Sequence, residues 1–286
     1  MTLPRFDLQS HSTYSDGALP PADVVARAAE AGVQLLALSD HDTVDGVREA
    51  VDAGVQHGVR IVPAVELSTI DPAGEDLHLL GYGIDIDDPA FGAALEEFRA
   101  DRAGRIGRMV DAVRELGWEV DESHLSGRDA PGRPHLATAV FEHPANADRL
   151  RDEALATSTD FLVAYLIPGA PAFRGRTLPT IKQAIDVVHA AGGVAVWAHP
   201  YWDIEDDAEV AACLRRFAAD GLDGVEAFYT TFTAEQTATL AALADELDLL
   251  TTGSADFHGP EHPKFSRFLA FDTGAAIPRL GPINDA

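Results

Sequence analysis

The chain has 286 residues, 46% of them hydrophobic, and a formal net charge of -26 at pH 7. Its length suits one large α/β domain or a domain with an insert, and its acidity argues against coating duplex nucleic acid or binding an anionic membrane. Lys182 and Lys264 are the only lysines, so an anionic substrate would have to be drawn by metal ions or placed arginines. The single cysteine, Cys213, lies in a helical apolar pattern; it rules out a disulfide framework and reads as a buried, inert thiol. No charged-then-apolar leader opens the chain and no apolar run reaches membrane-spanning length, so a soluble, cytoplasmic protein is expected.

Strand and helix signals alternate along the first third. Leu3 to Leu8 reads as a short strand, followed by the polar loop Asp7 to Gly17 and a helix from Pro20-Pro21 to about Ala31. Gln34 to Ser39 is a short apolar run, read as a buried strand, and Thr43 is placed to cap a helix from Val44 to His57. Arg60 to Val65 and Asp76 to Tyr82 are the next strands. The rhythm then breaks: Asp88 to about Leu116 is one long helical stretch, and further helical segments flank a loop ending in Gly132-Arg133-Pro134-His135. We read 86–172 as a helical insertion, between barrel parts 1–85 and 173–286, with Gly169 to Arg176 as the return linker. Helix and strand signals then resume: a helix over Pro179 to Ala191, strands over Val194 to Ala198, Gly224 to Phe228 and Leu249 to Gly253, and a helix capped by Thr233. Phe268 to Phe271 is a candidate last strand.

Gln9, His11 and Asp16, then His41, Glu66, His78 and His199, and finally Asp256 and His258 fall at strand ends or just beyond them; His78 lies within its strand. In a parallel α/β barrel those ends meet on one rim. Imidazole and carboxylate together suit zinc, manganese or iron, and their number exceeds the needs of one tetrahedral ion. His57, His124, His143, His189 and His262 lie outside this set and read as ordinary residues. Glu226 sits at a strand end and reads as a structural hydrogen-bonding group.

These runs also resemble the motifs of the PHP (polymerase and histidinol phosphatase) superfamily. DLQSHSTYSDG is similar to its first motif, LSDHDT to the second, VELS to the third, AHP to the fourth and SADFHG to the last. The resemblance implies a distorted (β/α)7 TIM-like barrel with a helical insertion. It implies two to three divalent ions (Mn, Fe, Zn or Mg): a first held by His11, Glu66 and Asp256, a second by Glu66, His78 and His199, a third by Asp16, His41 and His258. Gln9 stands where the family has a histidine; its amide oxygen would be a weaker ligand. The Gly-Arg-Pro-His loop is similar to phosphatases of 3′,5′-bisphosphonucleotides and short-RNA 5′-exonucleases. Arg133, His199 and Asp256 are expected to act in catalysis, with Arg133 and His135 contacting a nucleotide or short RNA; Arg174, Arg176 and Lys264 are weaker candidates. The alternatives are a histidinol-phosphatase-like enzyme, or a binder whose turnover is weakened by Gln9.

Overall fold

The computed structural model describes residues 5–71, 74–126, 132–175 and 177–285. Two compact units divide the chain, one of residues 1–95 with 179–286 and one of residues 96–178.

The first unit holds seven strands hydrogen-bonded in sequence order. They are β1 (Phe6–Asp7), β2 (Leu35–Leu38), β3 (Arg60–Asp71), β4 (Gly74–Tyr82), β5 (Val194–Trp197), β6 (Gly224–Tyr229) and β7 (Leu250–Ser254). Leu8 N–H donates to the Gly253 carbonyl at 3.1 Å, and Ser10 bridges Phe257 in parallel, so the last strand returns to the first in a nearly closed barrel. Alternate residues point to opposite faces of a strand. Leu35, Ala37, Val62, Ala64, Leu80, Tyr82, Val196 and Ala198 therefore form one core, joined by Leu280 and Ile283. Leu36, Leu38 and Ile61 face the other way, onto α1 (Pro21–Ala31) and α2 (Val47–His57).

Six of the strands pair in parallel except where they meet β4, which is antiparallel to both β3 and β5. An all-parallel rim is thus corrected. The connection between β3 and β4 is too short for a crossover helix, and a short connection forces an antiparallel return. The reversal puts the early part of β4, with His78 opposite Ser68, beside the late part of β3.

Two local expectations differ from the structure. The helix expected from Val44 starts at Val47, because Thr43 Oγ1 accepts from Asp45 N–H in a tight turn first. Phe268 to Phe271 is not a strand: Leu269 has φ +58° and its N–H donates to Asp7 Oδ2. Thr233 does cap the helix Ala234–Glu246, accepting from Gln236 N–H at 3.2 Å.

In the second unit, Trp118 is the hub. It is 1% exposed, its ring meets Phe161 edge-on at 5.1 Å, and the Arg149 guanidinium lies 3.9 Å from its centre. Ile106, Met109 and Val113 on α3 (Pro89–Glu115) pack in the same cluster as Leu136 and Val140 on α4 (Arg133–Phe141). The unit boundary falls within α3. Among the described residues, no helix is long and apolar enough to cross a membrane.

Candidate metal centre

The loop after β1 is fixed by a carboxylate that the sequence reading did not single out. Asp40 Oδ1 accepts from Ser12 N–H and from Ser15 Oγ, each at 2.7 Å, and Oδ2 accepts from Ser12 Oγ. A side chain at Gly17 would place its Cβ 2.3 Å from the His11 carbonyl oxygen, so only glycine lets this loop fold back on itself. The far side of the site is tied to the same strand. Asp7, fully buried, accepts from Ala255 N–H and from Leu269 N–H, gripping the segment that carries Asp256 and His258. Burial pushes the Asp7 carboxyl up to about 7, against the two N–H donors that favour its charge.

Glu66 lies at the centre. Its Oε2 is 3.0 Å from His11 Nε2 and 3.8 Å from His41 Nδ1; its Oε1 is 2.7 Å from His78 Nδ1 and 3.1 Å from His199 Nε2. His11 Nε2 is also 3.1 Å from Asp256 Oδ1. Asp16 gathers the rest: its oxygens are 3.4 Å from His11 Nδ1, 3.6 Å from His41 Nε2 and 3.5 Å from His258 Nε2. Three groups have donor atoms within 4.8 Å of one another: His11, Asp16, His41 and His258; His41, Glu66 and His78; and His11, Glu66 and Asp256. His11 and His41 are shared between groups, which strand-end position alone did not reveal.

The residues present fit a metal. His11 Nε2, His41 Nδ1, His78 Nδ1 and Asp256 Oδ1 are buried and make no hydrogen bond, whereas His199 Nε2 bonds Glu66 Oε1 and its Nδ1 faces Asp203 Oδ2 at 3.8 Å. Several of these atoms crowd within about 3 Å of a carboxylate oxygen without hydrogen-bond alignment. Buried polar atoms are nearly always satisfied, so a cluster of orphans marks a place for a cation. The tautomer of His258 is also fixed: Nδ1 lies 2.7 Å from the Asp256 carbonyl oxygen, which can only accept. Nδ1 therefore carries a proton, and Nε2, 3.5 Å from Asp16 Oδ2, is the ring nitrogen turned to the cluster, the usual outer support of an imidazole ligand.

Charge is balanced tightly within the cluster. Burial alone would raise the Glu66 carboxyl, but His41, His78, His11 and His199 hold it well below the ordinary range. Burial opposes a charge on His11 and His199, yet Asp256 and Glu66 keep His11 well above the usual imidazole value, and Glu66 lifts His199 to about 9. His41 is pushed down to about 4, chiefly by burial. His199 and Asp256 also have positive φ, +26° and +52°. Such backbones persist only where surroundings force them, and they cluster at functional sites. Here Glu226 Oε2 accepts from His199 N–H at 3.0 Å, and Tyr229 Oη donates to Asp256 Oδ2 at 2.6 Å.

Gln9 is fully buried beside the cluster, but its amide is turned away from the role expected of it. Nε2 donates to Glu66 Oε2 at 2.8 Å, while Oε1 faces Ser254 Oγ at 3.3 Å. The group aimed at Glu66 is a hydrogen-bond donor, not an oxygen ligand. Glu226 continues this chain, with Oε1 2.6 Å from Ser254 Oγ. Tyr229 gave no sequence signal, because an aromatic residue at the end of a strand reads as core. Asp40 was present in the LSDHDT run but was masked by the histidine beside it.

Arg133 and His135 belong to the second unit, on the first turn of α4. His135 Nδ1 accepts from Gly132 N–H at 2.9 Å, closing that turn. Residues 127–131, within the expected substrate loop, and Arg176 lie outside the described residues.

A PHP domain is matched over residues 7–82. A 5′-3′ exoribonuclease of Haemophilus influenzae is 33% identical over 258 residues, spanning 90% of each chain. The chain belongs to the PHP family. A 3′,5′-nucleoside bisphosphate phosphatase of Chromobacterium violaceum is 31% identical to this PHP chain, over 90% of it and 88% of the relative. A solved structure described as an amidohydrolase from Chromobacterium violaceum, with bound sulfate and no metal, matches with a TM-score of 0.77 at 27% identity, covering 96% of this chain and 94% of the other. The activity class of the PHP chain is metal-dependent phosphoester hydrolysis.

Proposed function

We propose that the protein removes phosphate from a nucleotide carrying both 3′- and 5′-phosphates, or cleaves short oligoribonucleotides from the 5′ end, using two to three divalent ions. The observation that carries this reading is the set of orphaned buried donor atoms around Glu66 and Asp16. His11, Glu66 and Asp256 would hold one ion, Glu66 with His78 and His199 a second, and Asp16 with His41 and His258 a third. Manganese, iron, zinc and magnesium all suit such mixed donor sets. Bound there, divalent ions supply Lewis-acid charge for a phosphoryl group and an attacking water of lowered pKa.

The chain's own residues prepare that chemistry. Asp16, Glu66 and Asp256 carry fewer negative charges than two or three divalent ions carry positive, so the centre attracts phosphate on an otherwise acidic protein. Asp40 and Asp7 fix the two loops that present the ligands. Glu226 holds the strained His199 backbone through its N–H, and Tyr229 orients the Asp256 carboxylate. Arg133 is proposed as a bidentate clamp on a phosphate, since its guanidinium fork matches two oxygens at once. The relatives described above, which are named for nucleotide and RNA substrates, support this substrate class.

The test is metal-dependent release of phosphate from adenosine 3′,5′-bisphosphate, compared with histidinol phosphate and with a 5′-phosphorylated tetraribonucleotide. Faster turnover of the nucleotide or the oligomer supports the reading. Preference for histidinol phosphate would replace it with a small-molecule phosphomonoesterase. Metal-loaded protein that binds the nucleotide and turns over nothing would make it a binder, a reading favoured by the Gln9 contact with Glu66 alone.

A further inference from the structure

Two aromatic rings of the first unit are strongly exposed, Tyr14 and Trp202, and Trp202 is the one that packs on further rings leading to the metal centre. Trp202 is 44% exposed, whereas the other two tryptophans, Trp118 and Trp197, are 1% and 0% exposed. It lies in the single-turn helix Pro200–Asp203 that directly follows His199, and its backbone N–H donates to the His199 carbonyl at 2.8 Å. Its ring is 5.5 Å from Phe265 and 6.5 Å from Tyr229. Those two rings are buried and touch the centre directly: Tyr229 lies 5.3 Å from His199, and Phe265 lies 5.6 Å from His258. Trp202 is therefore the outermost member of an aromatic wall that begins at two of the proposed ligands. Lys264, one of only two lysines, places Nζ 4.7 Å from the centre of the Trp202 ring.

An exposed indole costs free energy in water, and Tyr229 and Phe265 already fill the packing role. A flat π surface with a cation over one of its faces, one ring layer from a phosphate-binding centre, matches the two ends of a nucleotide: a planar base, which would take the other face, and an anionic phosphate. Stacking on aromatic rings tolerates any base, because every base has a π face. We propose that Trp202 is the platform on which the base of a nucleotide substrate stacks, with Lys264 drawing the anion to it. Trp202 would thus be the residue of the barrel that separates nucleotides from phosphate esters lacking a base. The proposal rests on the phosphoesterase reading for its location and adds the group that recognises the substrate.

Two tryptophans are buried, so intrinsic fluorescence reports on Trp202 when a ligand stacks there. Adenosine 5′-monophosphate should quench the emission of the wild-type protein in a saturable way, and ribose 5-phosphate should not. Trp202→Leu should lose the quench, keep the emission of Trp118 and Trp197, and show a KM for nucleotide raised roughly 5- to 150-fold, the scale of one base stack. Its KM for ribose 5-phosphate should stay unchanged, and Trp202→Phe should recover part of the nucleotide affinity. Equal quenching by ribose 5-phosphate, or unchanged nucleotide affinity in Trp202→Leu by equilibrium dialysis, would overturn the proposal. Because binding is read without turnover, a protein that hydrolyses phosphate esters with no base preference fails this proposal alone. A protein that releases phosphate from no ester fails the phosphoesterase reading instead.

Discussion

Gln9 sets up a competition that can be measured. Its Nε2 donates to Glu66 Oε2 at 2.8 Å in a fully buried setting, and that oxygen also lies 3.0 Å from His11 Nε2. If an ion held by His11, Glu66 and Asp256 used that oxygen along the direction of the amide, the two would compete for it. A hydrogen bond to a charged acceptor contributes about 1.5–3 kcal/mol. Losing it on metal binding weakens the ion by roughly 10- to 150-fold, at 1.4 kcal/mol per factor of ten. Gln9→Leu removes the competing donor without adding a ligand and should recover about that factor. Gln9→His removes it and adds an imidazole, so its gain should be larger. The assay is equilibrium dialysis of each protein against a series of buffered free Mn concentrations, with metal per chain read by mass spectrometry. The wild type should lose one ion at a free metal concentration where Gln9→His retains it, with Gln9→Leu between them. Superimposable curves for all three proteins would refute the reasoning, because the amide would then not compete for Glu66.

Further outcomes follow from other contacts. Tyr229→Phe removes the donor to Asp256 Oδ2 and should lower metal affinity by roughly 10- to 100-fold, the usual effect of losing an outer support; dialysis would detect it, and an unchanged affinity would show that Asp256 needs no orienting partner. Arg133→Lys should lose about 1.5–3 kcal/mol in kcat/KM on a bisphosphonucleotide, and Arg133→Ala somewhat more, with wild-type rates in both placing the clamp elsewhere. His11 and His199 have raised pKa values in the metal-free protein, His199 near 9. Below that pKa each imidazole holds a proton that an incoming ion must displace, so metal affinity should rise with pH from 7 toward 9 and binding at pH 7 should release protons. Calorimetry in two buffers of different ionisation enthalpy measures the release, and a value of zero would contradict the assignment of these ligands.

Much of the barrel was legible because short apolar runs broken by polar residues are a strong local pattern. That His11, His41, Glu66 and Asp256 come together could be read from their places after such runs, since parallel strand ends share a rim. The direction of β4 could not, because LHLLGY reads the same as a strand running either way; only the length of its connection decides. Phe268 to Phe271 has strand-like residues, yet Asp7 captures Leu269 N–H and turns the chain. The orientation of the Gln9 amide depends on Ser254 and Glu226, far away in sequence, so residue type alone suggested an oxygen ligand where the structure presents a donor. The sharing of His11 and His41 between donor groups is a matter of ångströms that no spacing encodes.

The closure of the barrel has a consequence for how the protein is made. Leu8 pairs with Gly253, Asp7 holds Ala255, and Leu280 and Ile283 share a core with Phe6 and Leu8. On the ribosome, a nascent chain that stops short of β7 has already made His11, His41, Glu66, His78 and His199, yet it lacks Asp256, His258 and the strand that seals β1. Such a chain leaves the edges of β1 and β6 unpaired and its histidines unanchored, the state in which long-range α/β folds are slowest and most prone to aggregate. Capture of the ions that would use Asp256 or His258 therefore belongs to the last stage of synthesis, whereas the set of Glu66, His78 and His199 is already in the chain before β7.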